Sequence, residues 1–559
     1  MDLERELSRL DPAVPFRATG THQHHTWART FYSRPELYIQ PRTSEELHKV
    51  ITLARRCRRR VTVAGSAHSP SDLTCTSSWL VNLDHFQDLL EIRKDKNVVV
   101  MQAGIRLRDL GIKLKGHGLA MPNLGSIDHQ SIAGAIGTAT HGSSTRHGIL
   151  SQSVLALKIM LANGRTVSCS AEQNVELFRA ALVSLGALGI ITEVTLEAVP
   201  AFNIEWTQSL HPLDEILSDW EQGLWTKKEF TRVWWMPYTK RCIRWRADKT
   251  DKPDDPPMTS WWTGTIGFHL YHFSLYCAQW VPSLLPRLER FVIDVQYGLK
   301  DETGSSAVQE GRTGLLMNCL YSQFVNEWAI PLRKGPEAIT RLSSWLHGEE
   351  AASGIPFSSK GVYIHAPIEV RVSDTSTTVP RPYLDNTVPD GPTLYLNATL
   401  YRPYHCDPPC RARYYEAFEW LMKEMGGRPH WAKNFVHVTR EDVYEMYPEM
   451  DDWIHVRNEV DPDGMFVGDW HRRLLIPQNG ESPSLPLEEK MASTESANAG
   501  GVDWTGRMSG SEESFEMMHG VEAERSFMMP DSVDGQDDDE DDDDELTKHA
   551  VKEIIRDKS

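Results

Sequence analysis

Val63-Ala-Gly-Ser-Ala-His68-Ser-Pro-Ser-Asp72 is the stretch on which the fold of this 559-residue chain turns. Val61-Thr-Val63 reads as a short strand that runs straight into it. Gly65 and the small Ser66 and Ala67 permit close approach of the backbone, and successive N–H groups in such a turn can cradle a pyrophosphate. Alone the pattern is weak, since Gly/Ser turns are common and a single histidine is usually packed. Its meaning comes from what flanks it.

Upstream, Thr43-Ser-Glu-Glu46 is a capping box, followed by Leu47, Val50, Ile51 and Ala54 on one helical face. Downstream, Val98 to Met101 predicts a strand, and Leu107, Leu110 and Leu114 a helix. Leu157 to Val167 predicts a hairpin turned at Asn163-Gly164, a dipeptide that tolerates positive φ at both positions. Asn174 to Val183 reads as helix, and Ile190 to Leu196 as an alternating strand. This is α+β, not a regular βαβ series. From about residue 200 the texture changes to Trp-rich segments with longer loops, which predicts a second domain.

A second constellation is Met121-Pro-Asn-Leu-Gly125-Ser126-Ile-Asp, running into Ser131-Ile-Ala-Gly-Ala-Ile-Gly-Thr-Ala-Thr-His141-Gly142-Ser-Ser144. Its small residues suit either ordinary tight helix packing or a helix surface approached by something flat or phosphorylated. It is neither GxGxxG nor a Walker loop, so Rossmann and P-loop readings fail on pattern. In Pro367-Ile-Glu369-Val-Arg371 the strand period points a carboxylate and a guanidinium the same way, either as a surface ion pair, which spacing alone favours, or into one cavity. Arg428-Pro-His430-Trp-Ala-Lys433 sets a cation beside an aromatic.

Charge excludes some classes. Residues 481–559 hold 23 acidic and 7 basic residues, a net of −16, which leaves only −3 of the total −19 for the rest. No field suited to nucleic acid remains on the globular part. The run Gln536 to Glu545 repels itself and stays solvated, and it is a candidate contact for a basic partner. The eight cysteines are scattered; Cys406 and Cys410 lack a second pair, so no metal site is expected. The N-terminus has no apolar run that would make a secretory signal, and Asn397-Ala-Thr then reads as an accidental sequon. Trp261 to Pro286 carries no charged side chain and predicts a buried or membrane-touching segment rather than a spanning helix.

Taken together, the motifs resemble the aldonolactone oxidoreductases of the vanillyl-alcohol-oxidase flavoprotein superfamily, the fungal D-arabinono-1,4-lactone oxidases most closely. The matching stretches are Trp27-Ala-Arg-Thr-Phe31, His68 to Asp72, Pro122 to Ser126, Thr140 to Ser143, Leu185 to Gly189, Pro367 to Arg371, His430 to Lys433, and Trp470-His-Arg472. They keep the family's order over residues 27 to 475.

The resemblance implies a flexible segment over 1–26, a two-part FAD-binding domain over 27–200, a cap domain over 201–477 that returns to the flavin at His430 to Lys433, and a disordered acidic tail over 478–559. It implies FAD, bonded through His68 at the flavin 8α carbon and held by Gly65, Ser66, Ala67, Ser69, Ser131, Gly134, Thr138, His141, Gly142, Gly189 and Ile190. Glu369 and Arg371 correspond to the family's active-site pair, Ser126 to a substrate-contacting position, and Lys433 to the cation at the N1 and C2 carbonyl edge. Gly125 matches the position where glycine marks oxidases and alanine marks dehydrogenases. The implied reaction takes hydride from C2 of a sugar lactone, D-arabinono-1,4-lactone first, and reduces molecular oxygen to hydrogen peroxide. A polyol oxidase, a dehydrogenase feeding cytochrome c, and an inactive FAD-binding scaffold are the alternatives. The resemblance also implies peripheral association with mitochondrial membranes, facing the cytosol, with the cytoplasm as the alternative. In two places the chain departs from the pattern: Ala67 stands where many relatives have glycine, and His129 where an acidic or amide residue is common.

Overall fold

Strands and helices form where the apolar periodicity asks for them, and among the described residues they assemble three main sheets besides two short two-stranded ones. The computed structural model describes residues 3–257, 264–298, 304–317, 319–365 and 367–476. Residues 261–263 of the uncharged stretch and the tail 478–559 lie outside the described residues.

The first sheet takes β1 (Ala18–Thr19), β2 (Leu37–Ile39), β3 (Val61–Ala64) and β4 (Trp79–Asn82) in the order β1-β2-β4-β3, with β2 and β3 parallel to β4. Helix α1 (Ser44–Cys57) joins β2 to β3 and buries Leu47, Val50, Ile51 and Ala54, the face its pattern predicts. Each large aliphatic side chain so buried contributes roughly 1.5–3 kcal/mol. Thr43 caps this helix by accepting the Glu46 N–H at 3.2 Å. The reciprocal half of the box is shifted, for the Glu46 carboxylate accepts from the Arg42 N–H at 2.9 Å and from the Arg17 side chain. Residues 3–26, expected as a flexible segment, are tied down instead. Ala18 and Thr19 pair with Ile39 and Tyr38, and the Lys49 ammonium donates to the carbonyls of Asp11 and Val14 at 2.8 and 2.6 Å.

The second sheet is antiparallel: β5 (Leu89–Arg93), β6 (Val98–Gln102), β7 (Val154–Met160), β8 (Thr166–Ser170) and β9 (Ile190–Glu197) in the order β8-β7-β9-β6-β5. The predicted hairpin is β7–β8. Its loop is longer than two residues, so Gly164 alone takes positive φ, at 84°, and its N–H closes the turn onto Leu161.

The third sheet has eight antiparallel strands: β10 (Asn203–Pro212), β11 (Phe230–Met236), β12 (Arg241–Thr250), β13 (Gly304–Glu310), β14 (Gln323–Pro331), β15 (Ile368–Ser373), β16 (Thr393–Tyr401) and β17 (Arg428–Pro429). Their order is β13-β10-β12-β11-β15-β16-β14-β17. Two helices follow residue 263: α2 (Thr265–Trp280) packs on this sheet through a small apolar cluster separate from the main core, and α3 (Leu285–Tyr297) joins that cluster at Leu285 and the main core at Ile293. The chain's last described segment returns to the first sheet. The Val61 N–H donates to the Met465 carbonyl at 2.8 Å, and Arg473 forks onto the Asp72 carboxylate with two bonds of 2.9 Å.

Candidate active site and cofactor groove

The turn after β3, the helix Ile132–Gly137 and the start of β9 line one groove. Gly65, Ser66, Ala67, His68, Ser69, Ser131, Gly134, Thr138, Gly189 and Ile190 all face it. Gly189 sits at φ 147° against the Met160 carbonyl, where a methyl group would meet that oxygen at 2.6 Å. Ser131 spends its hydroxyl within the protein, capping the helix through the Gly134 N–H at 3.3 Å. Arg106, paired with Asp84, keeps a buried Nη1 with no partner among the described residues, and it lies beside Gly65. An orphan guanidinium nitrogen over a turn of small residues fits the pyrophosphate of a dinucleotide.

The groove is strained where it is most closely lined. Ala67 and Leu185, both in its lining, hold left-handed φ values of 53° and 52°, as does Ala139 just beyond the helix at 59°. Such conformations cost roughly 1–2 kcal/mol each for a residue with a Cβ. Ala67 is held by the Trp27 N–H, which donates to its carbonyl at 2.8 Å, and the Trp27 ring stacks on His68 with centroids 5.0 Å apart. Burial, then His129, Arg106 and Lys433, push the His68 imidazole down to about 3, so it is neutral at physiological pH.

His68 and Ser69 also line an adjoining chamber with Gly125, Ser126, Glu369, Arg371 and Lys433. The third sheet builds its floor. Trp234 pairs with Glu369, Glu369 with Asn397, and Asn397 with Glu327, one row across four neighbouring strands. Directly opposed residues of antiparallel strands project from the same face, so the register sets these four side chains abreast. Arg371, one step along, is ion-paired to Glu327 and lies 3.3 Å from Glu369; its Nη1 donates to the Ser126 hydroxyl at 3.2 Å. Lys433 Nζ stands 3.5 Å from the other Glu327 oxygen.

These contacts fix the charge states. Burial opposes ionisation of Glu327, but Arg371 and then Lys433 hold its carboxyl well below the usual carboxylate range. Burial likewise opposes the Arg371 charge, and Glu327 and Glu369 more than restore it. Burial and Arg371 push His141 down to about 4; its Nδ1 bonds the Gly142 carbonyl at 2.9 Å and its ring stacks on Tyr395. His141 therefore belongs to the chamber and not to the groove. Gly142 lines neither and packs against the Asn123 side chain. Gly125 needs no special φ; a methyl group there would meet Thr140 Cγ2 at 3.1 Å in the chamber wall.

Sequence reasoning missed four residues. Glu327 is fully buried, and its signal was a lone carboxylate within Phe324-Val-Asn-Glu327-Trp-Ala-Ile330, an otherwise largely apolar strand. Asn397, read only as a sequon, has its carbonyl oxygen engaged by the Thr399 hydroxyl at 2.7 Å on the chamber wall. Asn434 ties the Lys433 loop to Pro70 next to His68, at 2.7 Å. Arg232, 1% exposed, has Nε and Nη1 without hydrogen-bond partners among the described residues and acts electrostatically on Glu369 and Arg371. Nothing in its sequence neighbourhood marks it. His141, Glu327 and His430 also bring three ligand atoms within 4.8 Å of one another. Arg371 and Lys433 already occupy the carboxylate, and a dication would be placed against both of them.

A mixed fold with a dinucleotide groove opening on a buried cationic chamber defines a flavoprotein oxidoreductase, and residues 35–170 match the FAD binding domain family. The chain binds FAD. Residues 194–474 match the D-arabinono-1,4-lactone oxidase family, and the chain belongs to it. A Neurospora crassa protein is 50% identical, covering 89% of this chain and 94% of its own length. The D-arabinono-1,4-lactone oxidase of Yarrowia lipolytica is 41% identical over 80% of this chain and 95% of its own. The L-gulonolactone oxidase of Scyliorhinus torazame is 34% identical over 81% and 98%. Among solved structures, cholesterol oxidase from Brevibacterium sterolicum shares the fold, with a TM-score of 0.67 at 15% identity over 84% of this chain and 99% of that one.

Proposed function

We propose that the chain oxidises an aldono-1,4-lactone, D-arabinono-1,4-lactone first, at its C2 hydroxyl, and that molecular oxygen takes the electrons and leaves as hydrogen peroxide. The observation that carries this reading is the Arg371–Glu327–Lys433 cluster, a buried chamber with two cations on one carboxylate, opening onto the cofactor groove at His68. Bound FAD supplies the two-electron acceptor. Arg371, aimed by Glu327 and Ser126, grips the C2 hydroxyl, and Glu369, whose Oε1 has no partner among the described residues, accepts its hydrogen bond. Lys433 and Arg371 stabilise negative charge as it develops, in a site too dry to do so with water. Asn397 offers its amide to a ring substituent. Gly125 leaves room for oxygen. Neutral His68 is a competent nucleophile for the flavin link.

Oxygen uptake with peroxide detection on purified yellow protein tests this, across D-arabinono-, L-galactono- and L-gulono-1,4-lactone with xylitol as control. Uptake with a lactone supports it and ranks the substrates. Lactone-dependent reduction of an artificial acceptor without uptake would make the chain a dehydrogenase.

The location proposed is the cytosolic face of mitochondrial membranes, with the cytoplasm as the alternative. Of the 15 exposed large apolar side chains among the described residues, eight lie on α2, α3 and the turn between them. No described helix is long and apolar enough to cross a membrane, so contact would be peripheral. Co-sedimentation with vesicles that survives the triple change Ile266→Ser, Phe273→Ser, Trp280→Ser would remove this reading. The acidic tail is proposed to meet a basic partner; tail deletion without effect on salt-sensitive associations would count against it.

A further inference from the structure

Between α2, α3 and the third sheet lies a second cavity that the proposed reaction does not use. It amounts to about 60 Å³, several times the roughly 10–15 Å³ that one water requires. Its walls are mostly apolar and aromatic, Leu275, Leu288, Val292 and Tyr271 from the helices facing Met236 and Ile243 from the sheet. Water needs two to four polar partners to settle, and a cavity so lined stays dry or takes an apolar guest.

Its few polar groups say what the guest carries. Among the described residues no lysine or arginine lines the cavity, and burial, only partly offset by its bond to the Tyr401 carbonyl, leaves His365 at about 4, so no cation is present there to hold an anion. Glu289 already accepts the Thr239 N–H at 2.8 Å and the Thr239 hydroxyl at 3.0 Å. Burial pushes it up to about 7, so it is only partly ionised at neutral pH, and the two Thr239 bonds already commit its Oε1 to the protein. Gln296 is different. Its amide nitrogen donates to the Tyr297 hydroxyl at 3.0 Å, and its Oε1 is buried with no partner among the described residues. A buried acceptor without a donor is costly, and a hydroxyl from the guest would satisfy it.

We propose that this cavity is a binding site for an uncharged apolar alcohol, a lipid alcohol that enters between α2 and α3, whose outer faces are themselves apolar. The site is continuous with the catalytic machinery, because Trp234, Pro367 and Tyr401 line both cavities and Pro367 leads directly into the strand of Glu369 and Arg371. An occupant therefore bears on the strand that positions the lactone.

The test is equilibrium binding by calorimetry to the full chain with FAD bound, using 1-octanol, octanoate and octylammonium as probes of one tail and three head groups. One mole of 1-octanol per mole of protein is expected, with octanoate and octylammonium at least tenfold weaker. Gln296→Leu should weaken 1-octanol about tenfold without changing lactone turnover, and Leu275→Trp should fill the space and abolish binding. Equal binding of all three probes would mean surface adsorption and would overturn the proposal. So would no binding by 1-octanol, or 1-octanol binding unchanged in both variants.

Discussion

Glu327 and Arg371, 44 positions apart in sequence, form a buried ion pair because their strands flank β16 and its register brings them to one face. A charge pair so enclosed is weak as a source of stability but severe to break, since removing one partner strands the other in a low dielectric. Lys433 adds a second cation to Glu327, and with Glu369 beside Arg371 and the buried Arg232 acting on both, three cations meet two carboxylates, so the chamber keeps a net positive bias toward whatever negative charge develops in it.

Glu327→Gln should therefore lose roughly 3–5 kcal/mol of stability. Arg371, released from its anchor, should lower kcat/KM by about 10²–10³. Chemical denaturation and stopped-flow flavin reduction measure the two effects. Near-normal reduction would show that Arg371 does not depend on this carboxylate.

Acid should destabilise the fold in the histidine range, even though Glu289 and Glu419, raised to about 7 by burial, take up protons first in the folded state and offset part of the loss. His141, His365 and His471 are each pushed down to about 4 by burial, so the unfolded chain binds more protons below its ordinary histidine value. The histidine contribution is then full above about pH 6.5 and is lost as pH drops toward 4, by linkage. The denaturation midpoint followed from pH 8 to 5 should be level at first and then decline. A flat profile to pH 5 would contradict buried neutral histidines.

Ala67→Gly should stabilise the protein by about 1 kcal/mol, because the left-handed backbone at φ 53° costs a residue with a Cβ what it does not cost glycine. The denaturation midpoint is the measurement. FAD content should be retained, since the turn keeps its shape.

Gly125→Ala places a methyl 3.1 Å from Thr140 Cγ2 in the chamber wall. Reoxidation of the reduced enzyme by oxygen should slow by at least tenfold while lactone-dependent dye reduction persists. Equal loss of both would make the residue a general packing position.

Arg232→Met should leave stability unchanged or raised, because it removes a buried cation lacking hydrogen-bond partners for its Nε and Nη1 among the described residues. Turnover should fall about tenfold, roughly 1.4 kcal/mol of barrier, as Glu369 loses a nearby positive charge. Thermal unfolding together with kcat separates the two effects.

The sequence by itself determined what is local. The strand into the Gly65–Ser69 turn, the amphipathic helix after Thr43, the hairpin at Gly164 and the Glu369–Arg371 spacing all follow from periods of 3.6 and 2 and from turn chemistry, which neighbouring residues carry on their own. Even there the details moved: Glu46 reaches Arg42 rather than its own cap, and only one turn residue takes positive φ. What only the tertiary structure decided is the partnership of residues far apart. Glu327 was visible as a lone acid in an apolar strand, but its link to Arg371 and Lys433 depends on the order and register of β14, β16 and β15. His141 moved from the cofactor groove to the chamber for the same reason. Side-chain periodicity fixes which face a residue occupies, while the charge it meets there is set by strands that the chain adds later.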